Sequence, residues 1–443
     1  MSPHTSTDTS TSTGTDTGTD ASTATGTGTG GVDAAELAAR YGTPLYVYDL
    51  ERVRAARREL FGFLPEGFEV FYAFKANPHP DLVRALRTGG DAPACRAEIS
   101  STGELAAALE AGYQGADILY TGPGKTPGEL REALACGVGT FSAESLSDLQ
   151  HIGAAAREAG TRADCLLRIN SATASATTSI RMTGTPTQFG IDSETVAELA
   201  PQLRAVAGAR IAGLHLFSQS NARDEAALID ELTHTIAVAA AVQEDLGVPL
   251  QLLDIGGGFS VPYAQQGERA RYPGLRTALE AALDVHFPHW RQGAPRLAVE
   301  SGRYLSGDSG TLVTRVSNVK VSRGRKFVIV DAGINTFGGM SGLGRLLPVS
   351  VHVQAGADTE KASLVGPLCT PGDVLGRQID LPAQLQEGDV VTVPNAGAYG
   401  PTSSLLMFLG RPAPAEVAVD GGRVVSAGRI EHVRTALTAG EAP

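Results

Sequence analysis

Short apolar runs alternate with amphipathic stretches along the first two thirds of the chain, and that alternation predicts its elements. Residues 34–41 predict a short helix, 43–49 a strand and 50–60 a second helix. Strand-like and helix-like segments then succeed one another. Strands are expected at 69–76, 98–101, 117–122, 140–142, 164–169, 211–217 and 250–255. Helices are expected at 81–88, 103–111, 127–135, 145–159, 193–206 and 224–246. Repeated βα units point to a parallel sheet. Their number favours a closed (β/α)8 barrel over an open sheet, and barrels carry their chemistry at the strand C-termini. From about Leu297 the pattern changes to Val-rich strands with few helices, at 310–321, 326–331, 347–353, 389–393 and 416–419. The fold class read here is α/β: a barrel at 45–296 joined to an all-β domain formed by 32–44 and 297–443. The early strand around Tyr46 is a candidate to pair with that second domain.

Composition adds three limits. Residues 1–31 are almost wholly Ser, Thr, Gly, Asp and Ala and cannot bury enough apolar surface to offset their ordering entropy, so a disordered tail is expected. The formal charge of -12 argues against nucleic acid as a partner. No apolar run is long enough to span a bilayer and no secretory core leads the chain, so the expected location is the cytoplasm, with no membrane partner. The 4 cysteines, Cys95, Cys136, Cys165 and Cys369, form no C-x-x-C pair, so neither a disulfide framework nor a metal site is expected.

The candidate chemistry begins at Glu69-Val70-Phe71-Tyr72-Ala73-Phe74-Lys75-Ala76-Asn77-Pro78. A lysine ending a β-branched and aromatic strand is either a snorkelling side chain or a desolvated amine. Burial would lower its pKa and free the amine to form Schiff bases. Ile255-Gly256-Gly257-Gly258-Phe259 offers backbone N–H groups to a phosphate, or is only a tight turn. Val299-Glu300-Ser301-Gly302-Arg303 holds a guanidinium for a phosphate and a carboxylate for a ring nitrogen, or a surface ion pair. Val365-Gly366-Pro367-Leu368-Cys369-Thr370-Pro371-Gly372-Asp373 places a thiol and a carboxylate in one loop, and a thiol can donate a proton to a carbanion. Gly397-Ala398-Tyr399-Gly400 adds a phenol, and His215 with Phe217 ends a strand.

In this order the motifs resemble the fold type III pyridoxal-phosphate (PLP) decarboxylases, the family of diaminopimelate and ornithine decarboxylases. The resemblance covers about residues 42–433. It implies an alanine-racemase-like barrel with a C-terminal β-domain, PLP as cofactor, and a head-to-tail homodimer with shared sites. It implies that Lys75 holds PLP as a Schiff base. Gly256, Gly257, Gly258, Gly302, Arg303, Tyr399 and Ser220 would surround the phosphate, Glu300 would keep the pyridine nitrogen protonated, and Glu98, His215 and Phe217 would complete the cofactor contacts. Cys369 of the partner would reprotonate the carbanion, with Thr370, Asp373 and Arg345 near the substrate.

Three departures from the family pattern carry information. Phe217 stands where relatives place a second histidine that stacks on the ring, and Gln219 replaces a nearby glycine. Ser301 replaces a proline. Thr370 replaces the acidic residue that grips the far ammonium of a diamino acid, and a lost charge-assisted bond removes roughly 1.5–3 kcal/mol. With Phe217 and the segment from Gly338 to Arg345, this is similar to a biosynthetic branch that decarboxylates glutamyl groups on an acyl-carrier protein or siderophore intermediates. The expected activity is PLP-dependent removal of the α-carboxylate from an amino acid or amino-acyl conjugate. Diaminopimelate decarboxylase is the alternative substrate assignment. A racemase would need a second base and an arginine at the pyridine nitrogen, and a non-catalytic regulator would have lost Lys75 or Cys369.

Overall fold

The computed structural model describes residues 29–88, 90, 92–172, 186–217, 222, 224–338, 350–351, 353 and 358–436. Ser220, Gln219, Arg345 and most of the expected tail therefore lie outside the described residues. Eight parallel strands close into a barrel in the order Glu69–Ala73, Arg96–Ile99, Ile118–Tyr120, Thr140–Ala143, Ala163–Asn170, Ala209–Leu216, Leu252–Asp254 and Arg296–Ser301. The last strand pairs back onto the first, Val299 opposite Val70 and Glu300 opposite Phe71. A two-residue strand, Ile191–Asp192, adds on outside Ala163–Asn170.

Side chains alternate across a strand, so residues two apart share a face. Phe71, Leu119, Leu166, Leu252 and Ala298 form a small buried cluster of their own, set apart from the larger core between strands and helices. They fill the barrel interior, as stacked side-chain layers do in this architecture. Two residues onward along four of these strands come Thr121, Arg168, Asp254 and Glu300. The alternation that builds an apolar layer at mid-barrel thus builds a polar layer at the C-terminal mouth.

Helix starts are locally encoded. Ser101 caps Thr102–Glu110 by accepting the Glu104 N–H, and Thr126 with Glu129 forms a capping box on Pro127–Ala135. These caps fix the loops that follow the barrel strands.

The second domain is a sheet in which Leu45–Asp49 lies between Gly310–Ser322 and Ala415–Asp420. The pairing expected of the strand around Tyr46 with the second domain is formed, and the domain limits drawn at 45 and 296 move accordingly. Leu45–Asp49 belongs to the β-domain, and Arg296–Ser301 belongs to the barrel. Leu45, Val47, Val313, Ala415 and Val417 share one buried cluster, which explains why the early strand leaves the barrel. Thr29 to Gly31, grouped with the tail by composition, are placed, with Thr29 buried. Three strands that polar residues hid, Thr359–Val365, Val374–Pro382 and Arg423–Arg429, complete the sheet. The strand expected at 347–353 is not formed at its described positions, 350, 351 and 353.

Candidate active site

Lys75 does not end the strand, as expected, but sits in a 3-10 turn, Phe74–Ala76, directly after Glu69–Ala73. The turn projects its amine over the polar layer. Nζ lies 3.0 Å from Glu98 Oε2 and 3.2 Å from Oε1. Glu98, on the next strand, is buried and also accepts a hydrogen bond from the Thr121 hydroxyl. The pKa of Lys75 moves opposite to the sequence expectation. Burial pulls it down, but the charges of Glu98 and Glu300 outweigh that pull and hold it above the usual lysine value. Burial is also incomplete, since 47% of the lysine side chain stays accessible at the barrel mouth.

Glu300 and His215 stand side by side on the floor. His215 Nδ1 is 2.8 Å from the Ser142 hydroxyl, and Nε2 is 3.1 Å from Glu300 Oε1. The latter pair is not aligned for a hydrogen bond, and both atoms remain buried without one. Burial pushes the Glu300 carboxyl up, while His215, Lys75 and Arg168 together hold it below the usual carboxylate range. Burial pulls His215 down, and Glu300 raises it overall.

The glycine loop brings its backbone against this floor. Gly256 has φ 75°, a region that disfavours other residues, and a Cβ on Gly257 would lie 2.0 Å from the Glu300 carbonyl oxygen. The loop is tied down by the Glu300 N–H donating to the Gly256 carbonyl at 2.7 Å. On the opposite wall Arg303 lies 5.3 Å from the Tyr399 ring centroid, and its buried Nε has no partner. Tyr399 reaches the barrel from the β-domain, where its N–H donates to the Ala76 carbonyl at 2.7 Å. Asn77 Nδ2 donates to the Gly397 carbonyl at 2.8 Å, so the Tyr399 loop and the Lys75 turn are stitched together.

Lys75, Phe217, Gly258, Glu300, Arg303 and Tyr399 line one cavity. Lys75 also lines a second cavity of about 520 Å³ between the barrel and the β-domain, whose walls include His79, Glu104 and Glu416. Cys369, Thr370 and Asp373 line neither. Cys369 is an exposed free thiol in a turn of the same chain. Asp373 is buried below it, accepting from the Ile334 N–H at 2.8 Å and the Leu368 N–H at 2.7 Å.

Asp254 was not among the residues expected from sequence. It is fully buried beside His215 and Glu300, with side-chain polar atoms of all three within 4.8 Å of one another. The signal was present: like Lys75, it is a lone charge closing an apolar run, Leu250-Gln251-Leu252-Leu253-Asp254.

The residues present fit PLP. One cavity joins an amine for the aldehyde, an unsatisfied buried carboxylate oxygen for the ring nitrogen, an aromatic wall, and an unsatisfied guanidinium nitrogen beside a tyrosine and a glycine loop for the phosphate. A barrel-mouth lysine in such surroundings defines a PLP enzyme. Residues 50–307 match the family described as "Pyridoxal-dependent decarboxylase, pyridoxal binding domain". The chain is 32% identical over 402 residues to the L-glutamyl-[BtrI acyl-carrier protein] decarboxylase of Niallia circulans, covering 87% of this chain and 91% of that protein. It is 34% identical over 402 residues to the diaminopimelate decarboxylase of Methanothermobacter thermautotrophicus, covering 89% and 90%. Among solved structures, diaminopimelate decarboxylase of M. jannaschii in complex with L-lysine superposes with a TM-score of 0.76 at 27% identity, covering 89% of this chain and 91% of that one. The chain belongs to the PLP-dependent decarboxylases. Among the described residues, no helix is long and apolar enough to cross a membrane.

Proposed function

We propose that this decarboxylase acts on an amino-acyl conjugate without a far ammonium, with a glutamyl group carried on an acyl-carrier protein as the first candidate. It works in the cytoplasm as a head-to-tail homodimer. The observation that carries the substrate reading is the Asp373 carboxylate. It is buried, and both oxygens accept backbone N–H groups. With Thr370 neutral beside Cys369, no free carboxylate is offered there to the far ammonium of a diamino acid. The glutamyl-carrier relative from Niallia circulans supports the same reading. Arg345, outside the described residues, is reserved for an anionic or carrier-linked part of the substrate. Diaminopimelate is the second reading, favoured by the 34% identical relative.

The residues divide the work as follows. Arg303, Tyr399, Ser220 and the Gly256–Gly258 backbone would hold the phosphate. Glu300 would hold the proton of the ring nitrogen, and Phe217 and His215 would exclude water around the ring. Lys75 would be the residue that holds the cofactor through its amine. Glu98 Oε2, 3.0 Å from Nζ, is placed to hold the proton that Lys75 sheds. When bound, PLP supplies an electron sink for the pair left behind as the bond from Cα to the carboxylate breaks and CO2 departs. Cys369 Sγ of a second chain donates the proton that fills Cα. The exposure of this thiol, away from both cavities that Lys75 lines, supports a site completed across a dimer.

The test is CO2 release by the PLP-loaded enzyme from glutamyl-carrier protein, free glutamate, diaminopimelate, lysine, ornithine and arginine. Release from the conjugate alone is expected. Fast release from diaminopimelate would overturn the Thr370 and Asp373 argument.

A further inference from the structure

The polar layer holds a buried carboxyl with no part in the scheme above. Asp254 closes the strand Leu252–Asp254 and is fully buried. It lies opposite His215 on one neighbouring strand and opposite Ala298, two residues before Glu300, on the other. Oδ1 accepts the Gly256 N–H at 2.9 Å, the same glycine whose carbonyl receives the Glu300 N–H at 2.7 Å. Oδ2 has no hydrogen-bond partner, and neither does Glu300 Oε1 or His215 Nε2. Three buried side-chain polar atoms, one each from Asp254, Glu300 and His215, thus crowd within 4.8 Å of one another.

We infer that Asp254 is a positioning residue for the cofactor site: it is kept as an uncharged acid, braces the Gly256 turn, and leaves Glu300 as the sole anion of the group beneath the ring nitrogen. Two carboxylates this close in a dry interior do not both ionise, and the one with the weaker cationic support keeps its proton. The charged groups around them decide which one. Glu300 is supported by His215, Lys75 and Arg168. Asp254 faces Glu300 and Glu98 against His215 alone. Burial first, and Glu300 second, push its carboxyl up to about 8. A neutral acid at this place orients its neighbours without competing for the positive ring nitrogen.

The experiment compares Asp254→Asn and Asp254→Ala with the wild-type full chain, reading PLP affinity by titration of the apoprotein and thermal stability against pH. Asp254→Ala removes the brace and is expected to weaken PLP binding by about tenfold or more, which Asp254→Asn, neutral and of the same shape, largely restores. Unchanged binding in the alanine variant, or an asparagine variant as weak as the alanine one, would overturn the inference. Should the alanine variant fail to fold, the asparagine variant decides alone. A carboxyl raised from about 3.9 in the unfolded chain to about 8 in the folded one costs the wild type stability as pH rises between those values. The Tm of Asp254→Asn relative to wild type should therefore climb from about pH 4 to about pH 8. A gap that is flat, or that falls as pH rises, would mean that Asp254 is charged in the folded protein and that the assignment is wrong.

Discussion

The Leu368 N–H donates a 2.7 Å hydrogen bond to the Asp373 carboxylate, which fixes the backbone immediately before Cys369. The same carboxylate holds the Ile334 N–H, and the Gly366 N–H donates to the Asp373 carbonyl, so one buried residue shapes the whole turn. Asp373→Ala should release it. Each lost charge-assisted bond destabilises by roughly 1.5–3 kcal/mol. Thermal unfolding should show a lowered Tm, and steady-state kinetics a lowered kcat. PLP affinity should stay near the wild-type value, because Asp373 does not line the cofactor cavity.

Lys75 is the amine placed in that cavity, and the two cavities it lines share no other lysine. Borohydride reduction of the PLP-loaded enzyme followed by peptide mass mapping should find the cofactor on Lys75. Lys75→Ala should bind PLP only reversibly and release no CO2. An adduct on another residue, or turnover by the variant, would remove Lys75 from its role.

Glu300 gives a pH signature. Its carboxyl, near 4.5 unperturbed, is lowered to about 2 in the folded apoprotein, because His215, Lys75 and Arg168 outweigh the burial that would raise it. A lowered carboxylate pKa contributes stability above the unfolded value, and that contribution is lost as pH falls towards the folded one. Apoprotein stability should therefore decline between about pH 4.5 and about pH 2, and Glu300→Gln should flatten this part of the curve. Chemical denaturation at a series of pH values checks it; an unchanged slope in the variant would contradict the ion pair.

Much of this was legible from residue order. Apolar runs bounded by glycine marked the barrel strands, and Lys75, Glu300, Arg303 and Tyr399 could be singled out because each is a polar residue in an apolar or glycine-rich setting. What depends on partners distant in sequence could not be read. The pKa of Lys75 was expected to fall, since its strand looked dry, but Glu98 and Glu300 arrive from two neighbouring strands and reverse the sign. Asp254 directly precedes the glycine loop that draws attention as a phosphate site, and only the barrel's residue alternation places it in one layer with Glu300. The strand around Tyr46 was a candidate to pair with the second domain, and Leu45–Asp49 does pair with Gly310–Ser322 and Ala415–Asp420, although the domain limit was drawn at residue 45. The strands Thr359–Val365 and Val374–Pro382 carry charges within their runs, Glu360 and Lys361 in the first and Arg377 and Asp380 in the second, which masked them.

The account rests on a site built around Lys75 of one chain and finished by Cys369 of another. The most direct test mixes two inactive variants, Lys75→Ala and Cys369→Ala, under conditions that let subunits exchange, and measures CO2 release. In a randomly mixed two-fold dimer half of the molecules are heterodimers with one intact site each, so activity should return to roughly a quarter of wild type. No recovery, in a mixture shown to exchange subunits, would place both residues in the service of one chain's own site and contradict the shared-site account.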